Sequence, residues 1–177
     1  MKLSEAQFSS FAVGKIGVYS SYNIVPTMEK KLKIEFIGDS MTCGYGIDEN
    51  ESYPYFTTVT ENFAKTYAHL TAERFDADFS AVAFSGYGVY SGFTQGGRNS
   101  EDVISKHYLK SALVPYEEHL WDFSKTENNL VVINLGTNDA SYCSKSYTGR
   151  QNFTSAYVEL LKTVREKNPT AYILCVL

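Results

Sequence analysis

Hydrophobic positions along this chain switch between a strand-like and a helix-like period. Leu32, Ile34, Phe36 and Ile37 form a short apolar run that breaks at Gly38. Phe79 to Phe84 form a second run and Ala171 to Leu177 the last. Leu130 to Leu135 are nearly continuously apolar, as expected of a parallel strand buried on both faces. Between these runs the period lengthens. Val59, Phe63, Tyr67 and Leu70 recur at helical spacing to near Phe75, with Ser52 as the N-cap and Pro54 in the first turn. Phe153, Tyr157, Leu160, Leu161 and Val164 make one apolar stripe that ends at Pro169. Residues 91–128 are less regular, with loop glycines at 92, 96 and 97 and two short helical pieces expected around 101–111 and 115–124. Residues 8–20 read as two short strands or a hairpin kinked at Gly14 and Gly17, and residues 21–30 as a linker.

Strands alternating with helices predict an α/β fold with a parallel sheet and right-handed crossovers. The turns after the first three strands then share one sheet edge, where open α/β sheets place their chemistry. That edge receives Ser40 from Gly38-Asp39-Ser40, Gly86 from Ser85-Gly86-Tyr87-Gly88, and Asn138 from Gly136-Thr137-Asn138-Asp139. Each turn alone is ordinary turn chemistry. Converging from three distant parts of the chain, they point to a nucleophilic serine.

Composition narrows the partners. The 177 residues suit one domain, or one domain with part of another, and 44% hydrophobic residues can bury a core. A net charge of −4 without any basic run argues against nucleic acid or an anionic membrane. No apolar run is long enough to span a bilayer. The opening M-K-L-S-E-A-Q-F lacks a signal-peptide core, so the protein is either cytoplasmic or starts further upstream. Cys43, Cys143 and Cys175 have neither a disulfide framework nor zinc spacing. Cys175 reads as a small buried hydrophobe. Cys43 and Cys143 both follow strands expected to be neighbours, so a bridge between them is an option beside the favoured free thiols.

The three turn motifs, in this order and each at a strand end, resemble the GDSL or SGNH hydrolases, and I-E-F-I-G-D-S-M-T-C-G-Y-G is most similar to carbohydrate esterases of family 2. The resemblance runs from about residue 8 to 177. It implies a flavodoxin-like three-layer sandwich with a mostly parallel sheet, incomplete at the C-terminus and preceded by a short β segment. Residues 1–30 would be the end of an N-terminal β-rich domain plus linker, and 31–177 a partial hydrolase domain. The implied activity is a serine esterase that removes acetyl groups from carbohydrate esters, needing no metal or organic cofactor. An extracellular location would follow from the same resemblance. Ser40 would be the nucleophile. The oxyanion would be held by the backbone N–H groups of Ser40 and Gly86 and by the Asn138 side-chain amide, with Gly88 a less favoured choice for the glycine. Asp39 and Asp139 read as structural, holding the turns through backbone hydrogen bonds. Tyr45, Tyr87, Tyr90 and Tyr142 lie on or near the active-edge loops, where they would stack on sugar rings or pack.

The family's fourth block, Asp-x-x-His, does not occur in these residues. His69, His107 and His119 match no family motif, and no Gly-x-Ser-x-Gly or Ser-x-x-Lys is present. The expectation is a base beyond Leu177 and a 177-residue chain with little activity of its own. Two other readings share the motifs: a lipid or thioester hydrolase of the wider family, and a non-catalytic carbohydrate-binding module.

Overall fold

The computed structural model describes Glu5, Thr57 and residues 14–19, 25–49, 59–111 and 119–176. Ser52 and Pro54 lie outside them, as does the whole stretch 8–13, and residues 14–19 carry no strand.

Four strands form one sheet: β1 (Leu32–Gly38), β2 (Ala77–Ala83), β3 (Leu130–Asn134) and β4 (Tyr172–Val176), in the order β2-β1-β3-β4 and all parallel. The helices are α1 (Ser40–Cys43), α2 (Tyr67–Arg74), α3 (Thr137–Cys143) and α4 (Tyr147–Lys167). Alternation within β1 divides the core in two. Ile34 and Phe36 face α2, where Ala68 and Ala72 allow close approach. Ile37, with Val131 and Ile133 of β3, faces Leu160 and Val164 of α4. Apolar residues on both faces of the central strands account for their near-continuous hydrophobicity. The register sets Gly38 beside both Ala83 and Asn134, so three strands end level.

Several expectations are corrected. The helix begins at Tyr67 rather than near Ser52, because Thr66 caps it: its side chain accepts from the His69 N–H at 3.4 Å. Val59, which continues the helical spacing, lies exposed in a turn, and Phe63–Lys65 is one 3₁₀ turn. The piece expected around 101–111 is a single 3₁₀ turn, Ile104–Lys106. Of the piece expected around 115–124, residues 115–118 lie outside the described set, and a 3₁₀ turn, Phe123–Lys125, falls at its end. Cys175 is exposed rather than buried, and all three cysteines are free. Tyr172, Leu174 and Val176 of β4 are also exposed, on the face of the sheet where the α2 layer covers β2, β1 and part of β3.

One buried carboxyl interrupts the core. Glu35 of β1 accepts at Oε2 from the Tyr108 hydroxyl at 2.8 Å. Asn168 Nδ2 donates to that hydroxyl at 2.9 Å, and Asn128 Nδ2 donates to Asn168 Oδ1 at 2.8 Å. The network joins β1, the middle segment and the end of α4. Burial pushes the Glu35 carboxyl up from its ordinary range, partly offset by hydrogen bonds from Tyr108 and Asn168.

Candidate active site

Ser40 opens α1 immediately beyond the β1 edge. Asp39 caps this single turn: its Oδ1 accepts from the Met41 N–H at 3.1 Å, and its carbonyl accepts from Thr42 and Cys43. Gly38 must be glycine, since a Cβ there would fall on the Thr42 side chain. Gly44 ends the turn at φ +86° and donates to the Ser40 carbonyl. Ser40 is half-buried, and among the described residues no hydrogen bond occupies its hydroxyl.

The structure separates the two candidate glycines. Gly86 takes φ +85°, and a Cβ there would meet open space. Its carbonyl accepts from the Phe93 N–H at 2.7 Å, closing the loop on itself. At Gly88 a Cβ would run into the Ser91 carbonyl and come within 2.7 Å of Asp139 Oδ2. Gly88 is therefore packed in, whereas Gly86 borders free space.

Asn138 and Asp139, consecutive in the first turn of α3, grip this loop with opposite polarity. The Asn138 Nδ2 donates to the Tyr87 carbonyl at 2.8 Å and approaches Asp39 Oδ2 at 3.3 Å. Asp139 accepts three backbone N–H groups, from Val89 at 2.8 Å, Tyr90 at 2.7 Å and Ser91 at 2.8 Å. Ser141 of the same helix accepts from the Thr94 N–H at 3.0 Å. The expected structural role of Asp139 thus takes a different form: it holds the loop after β2, not its own turn. Burial raises both Asp39 and Asp139, opposed by their backbone donors, and the charge of Asp139 adds to the rise at Asp39.

Glu5 was missed by sequence reasoning because no local pattern marks it. Its Oε2 accepts from the Ser85 N–H at 2.6 Å, next to Gly86. Glu5, Cys43 and Glu61 bring donor atoms within 4.8 Å of one another, a grouping of metal-type donors that sequence spacing did not reveal. Burial, reinforced by the Glu5 carboxylate, pushes the Cys43 thiol far up.

The other candidates fall around this core. Tyr87 is buried, Tyr45 exposed, and Tyr90 and Tyr142 half-buried. His69 lies on α2 beside Glu73 and the rings of Phe63 and Phe79. His107 packs against Phe84 and Tyr87, and His119 is exposed. None of the three lies on the turns that bring Ser40, Gly86 and Asn138 together.

A parallel sheet with a Gly-Asp-Ser turn, a glycine loop and a Gly-x-Asn-Asp helix start defines a class. The family model for the GDSL-like lipase/acylhydrolase family matches residues 36–177, and the chain belongs to that family. It is 36% identical over 173 residues to the cellulase/esterase CelE of Acetivibrio thermocellus, covering 98% of this chain and 20% of that protein. It is 30% identical over 187 residues to an acetylxylan esterase / glucomannan deacetylase of Cellvibrio japonicus, covering 98% of this chain and 49% of the relative. A solved family two carbohydrate esterase from Clostridium thermocellum, in complex with cellohexaose, superposes with TM-score 0.75 at 37% identity, over 86% of this chain and 44% of that one. The chain spans half or less of the length of these relatives.

Proposed function

We propose that this chain carries the nucleophile and oxyanion donors of a serine esterase that removes acetyl groups from carbohydrate esters. The observation that carries the reading is the Asn138 amide, which reaches both the Asp39 turn and the Tyr87 carbonyl and so ties three strand-end loops into one site. The carbohydrate preference is supported by the family two esterase and by the deacetylase relative. These same likenesses favour it over a lipid or thioester hydrolase.

In the proposed reaction the Ser40 Oγ bonds to the acetyl carbon while a base takes its proton. The carbonyl π electrons move onto oxygen. That oxyanion is met by the N–H groups of Ser40 and Gly86 and by the second Asn138 amide hydrogen, which has only the longer 3.3 Å contact to Asp39 to give up. Collapse expels the sugar alkoxide, which takes the proton back, and water then hydrolyses the acetyl-serine. A hydroxyl is a weak nucleophile without a base.

No Asp-x-x-His occurs in the 177 residues, and loss of the histidine in a serine hydrolase costs on the order of 10⁶ in kcat. The proposed chain is therefore nearly silent alone but open to rescue by a base from solution. Adding imidazole to the chain and an aryl acetate should raise deacetylation in proportion to imidazole. Ser40→Ala should show only the background hydrolysis by imidazole itself, so that subtracting its rate leaves an increment that grows with imidazole. A rate equal in the two proteins at every imidazole concentration rules out Ser40 as nucleophile.

A further inference from the structure

We propose that Arg98 is a specificity determinant at the rim of this site, a preset receptor for the carboxylate of a uronic-acid unit on the acetylated carbohydrate. The proposal rests on the esterase reading above. Arg98 lies in the same loop as Gly86. Its guanidinium carbon stands 3.8 Å above the centroid of the Tyr90 ring, and its Nε–H donates to the Tyr90 carbonyl at 2.9 Å. Tyr90 is itself fixed at both ends. Its N–H donates to Asp139 Oδ1 at 2.7 Å, and its hydroxyl accepts from Asn152 Nδ2 of α4 at 3.1 Å. The arginine is thus stacked on a ring anchored to the two helices that flank the site. Four residues before Arg98, the Thr94 N–H donates to Ser141 Oγ at 3.0 Å, which ties this loop to the helix that supplies Asn138.

This cation has no counter-ion among the described residues. Lys106, in the segment just after it, pairs with Glu101 at 2.9 Å. Glu159, the carboxylate in the shallow groove beside Tyr90, pairs with Lys162 at 2.7 Å. Those two carboxylates are therefore matched, while the terminal Nη groups of Arg98 have no acceptor among the described residues and the residue is exposed. Its orientation is already set by the ring and by Nε. A planar fork with two open N–H edges fits the two oxygens of a carboxylate, whereas a sugar hydroxyl uses one donor and brings no charge. A long side chain fixed before the ligand arrives also loses less freedom on binding. A ligand chain crossing the site near Gly86 would carry such a substituent past this rim.

Calorimetric titration of the 177-residue chain tests this without requiring turnover. The probes are an acetylated xylo-oligosaccharide with a glucuronic-acid branch, the same oligosaccharide without it, and sodium sulfate as a free anion. The acidic ligand should bind about tenfold more tightly at low salt, a preference that fades near about 0.5 M NaCl. Arg98→Gln should bring its affinity down to that of the neutral ligand. Arg98→Lys, which keeps the charge but not the fork, should retain only part of the preference. Thermal melts of each variant establish that it is folded. Equal affinity of the wild-type chain for both oligosaccharides, or a preference that survives in folded Arg98→Gln, overturns the proposal and leaves the esterase reading standing. Sulfate competing as well as the acidic sugar reassigns the site to anions in general and also overturns it. Absence of binding by either oligosaccharide removes this proposal together with the reading beneath it.

Discussion

Asn138 has two tasks that draw on the same amide. One hydrogen holds the Tyr87 carbonyl at 2.8 Å, and the other is proposed for the oxyanion. Asn138→Ala should therefore do two things at once. Under imidazole rescue the rate should fall by about 10²–10³, the usual effect of one oxyanion donor. Stability should fall by about 1–3 kcal/mol, because a buried carbonyl loses its donor. Urea melts beside initial rates separate the two losses. The shared strand-end position of Ser40, Gly86 and Asn138 was legible from sequence because each sits in a short motif at the end of an apolar run. The target of Asp139 was not legible, since the three N–H groups it accepts lie 48 to 50 residues away. Arg98 was equally hidden. Its meaning depends on the Tyr90 ring eight positions earlier, and no periodicity carries that contact.

Among the elements, β1, β3 and α4 were read from sequence because burial dictates their composition. Helix α2 was drawn too long for a physical reason. Val59 and Phe63 continue its spacing, but Thr66 supplies the cap that fixes where helical hydrogen bonding begins. Helix α3 was read as a turn. Gly136, at φ +134°, lets the chain leave β3 and start a helix within two residues, which brings Asn138 and Asp139 up against the loop after β2. That junction gives a prediction. Asp139→Asn replaces one carboxylate oxygen with a donor facing a backbone N–H. It should cost about 1–3 kcal/mol, and hydrogen exchange should accelerate first at Val89, Tyr90 and Ser91. Exchange that rises uniformly over the whole chain would instead mean that the loop has no special dependence on this carboxylate.

At the scale of the molecule, the two core layers meet on a sheet whose central strand carries a buried acid. The Glu35 carboxyl is raised by burial, so the native state holds its proton more readily than the unfolded chain does. Stability from this group is complete below the unfolded value near 4.5 and is lost as pH rises through the higher folded value. Glu35→Gln should remove that slope. Urea midpoints from pH 4 to 8 should fall more steeply with rising pH in the wild type than in the variant. Parallel slopes would show that Glu35 ionises at no cost to the fold.

The sheet edge also has a consequence for how the chain reaches its native state. The bonds that assemble the site join residues far apart in sequence: 99 positions between Asp39 and Asn138, 80 between Glu5 and Ser85, and 50 between Val89 and Asp139. Each waits on long-range pairing of the segments it joins, and closing such long loops is the slow part of folding a parallel sheet. Local helix in α4 can appear early without them. Competence at Ser40 should therefore emerge late in refolding, after most of the helical signal, making it a reporter of the completed topology.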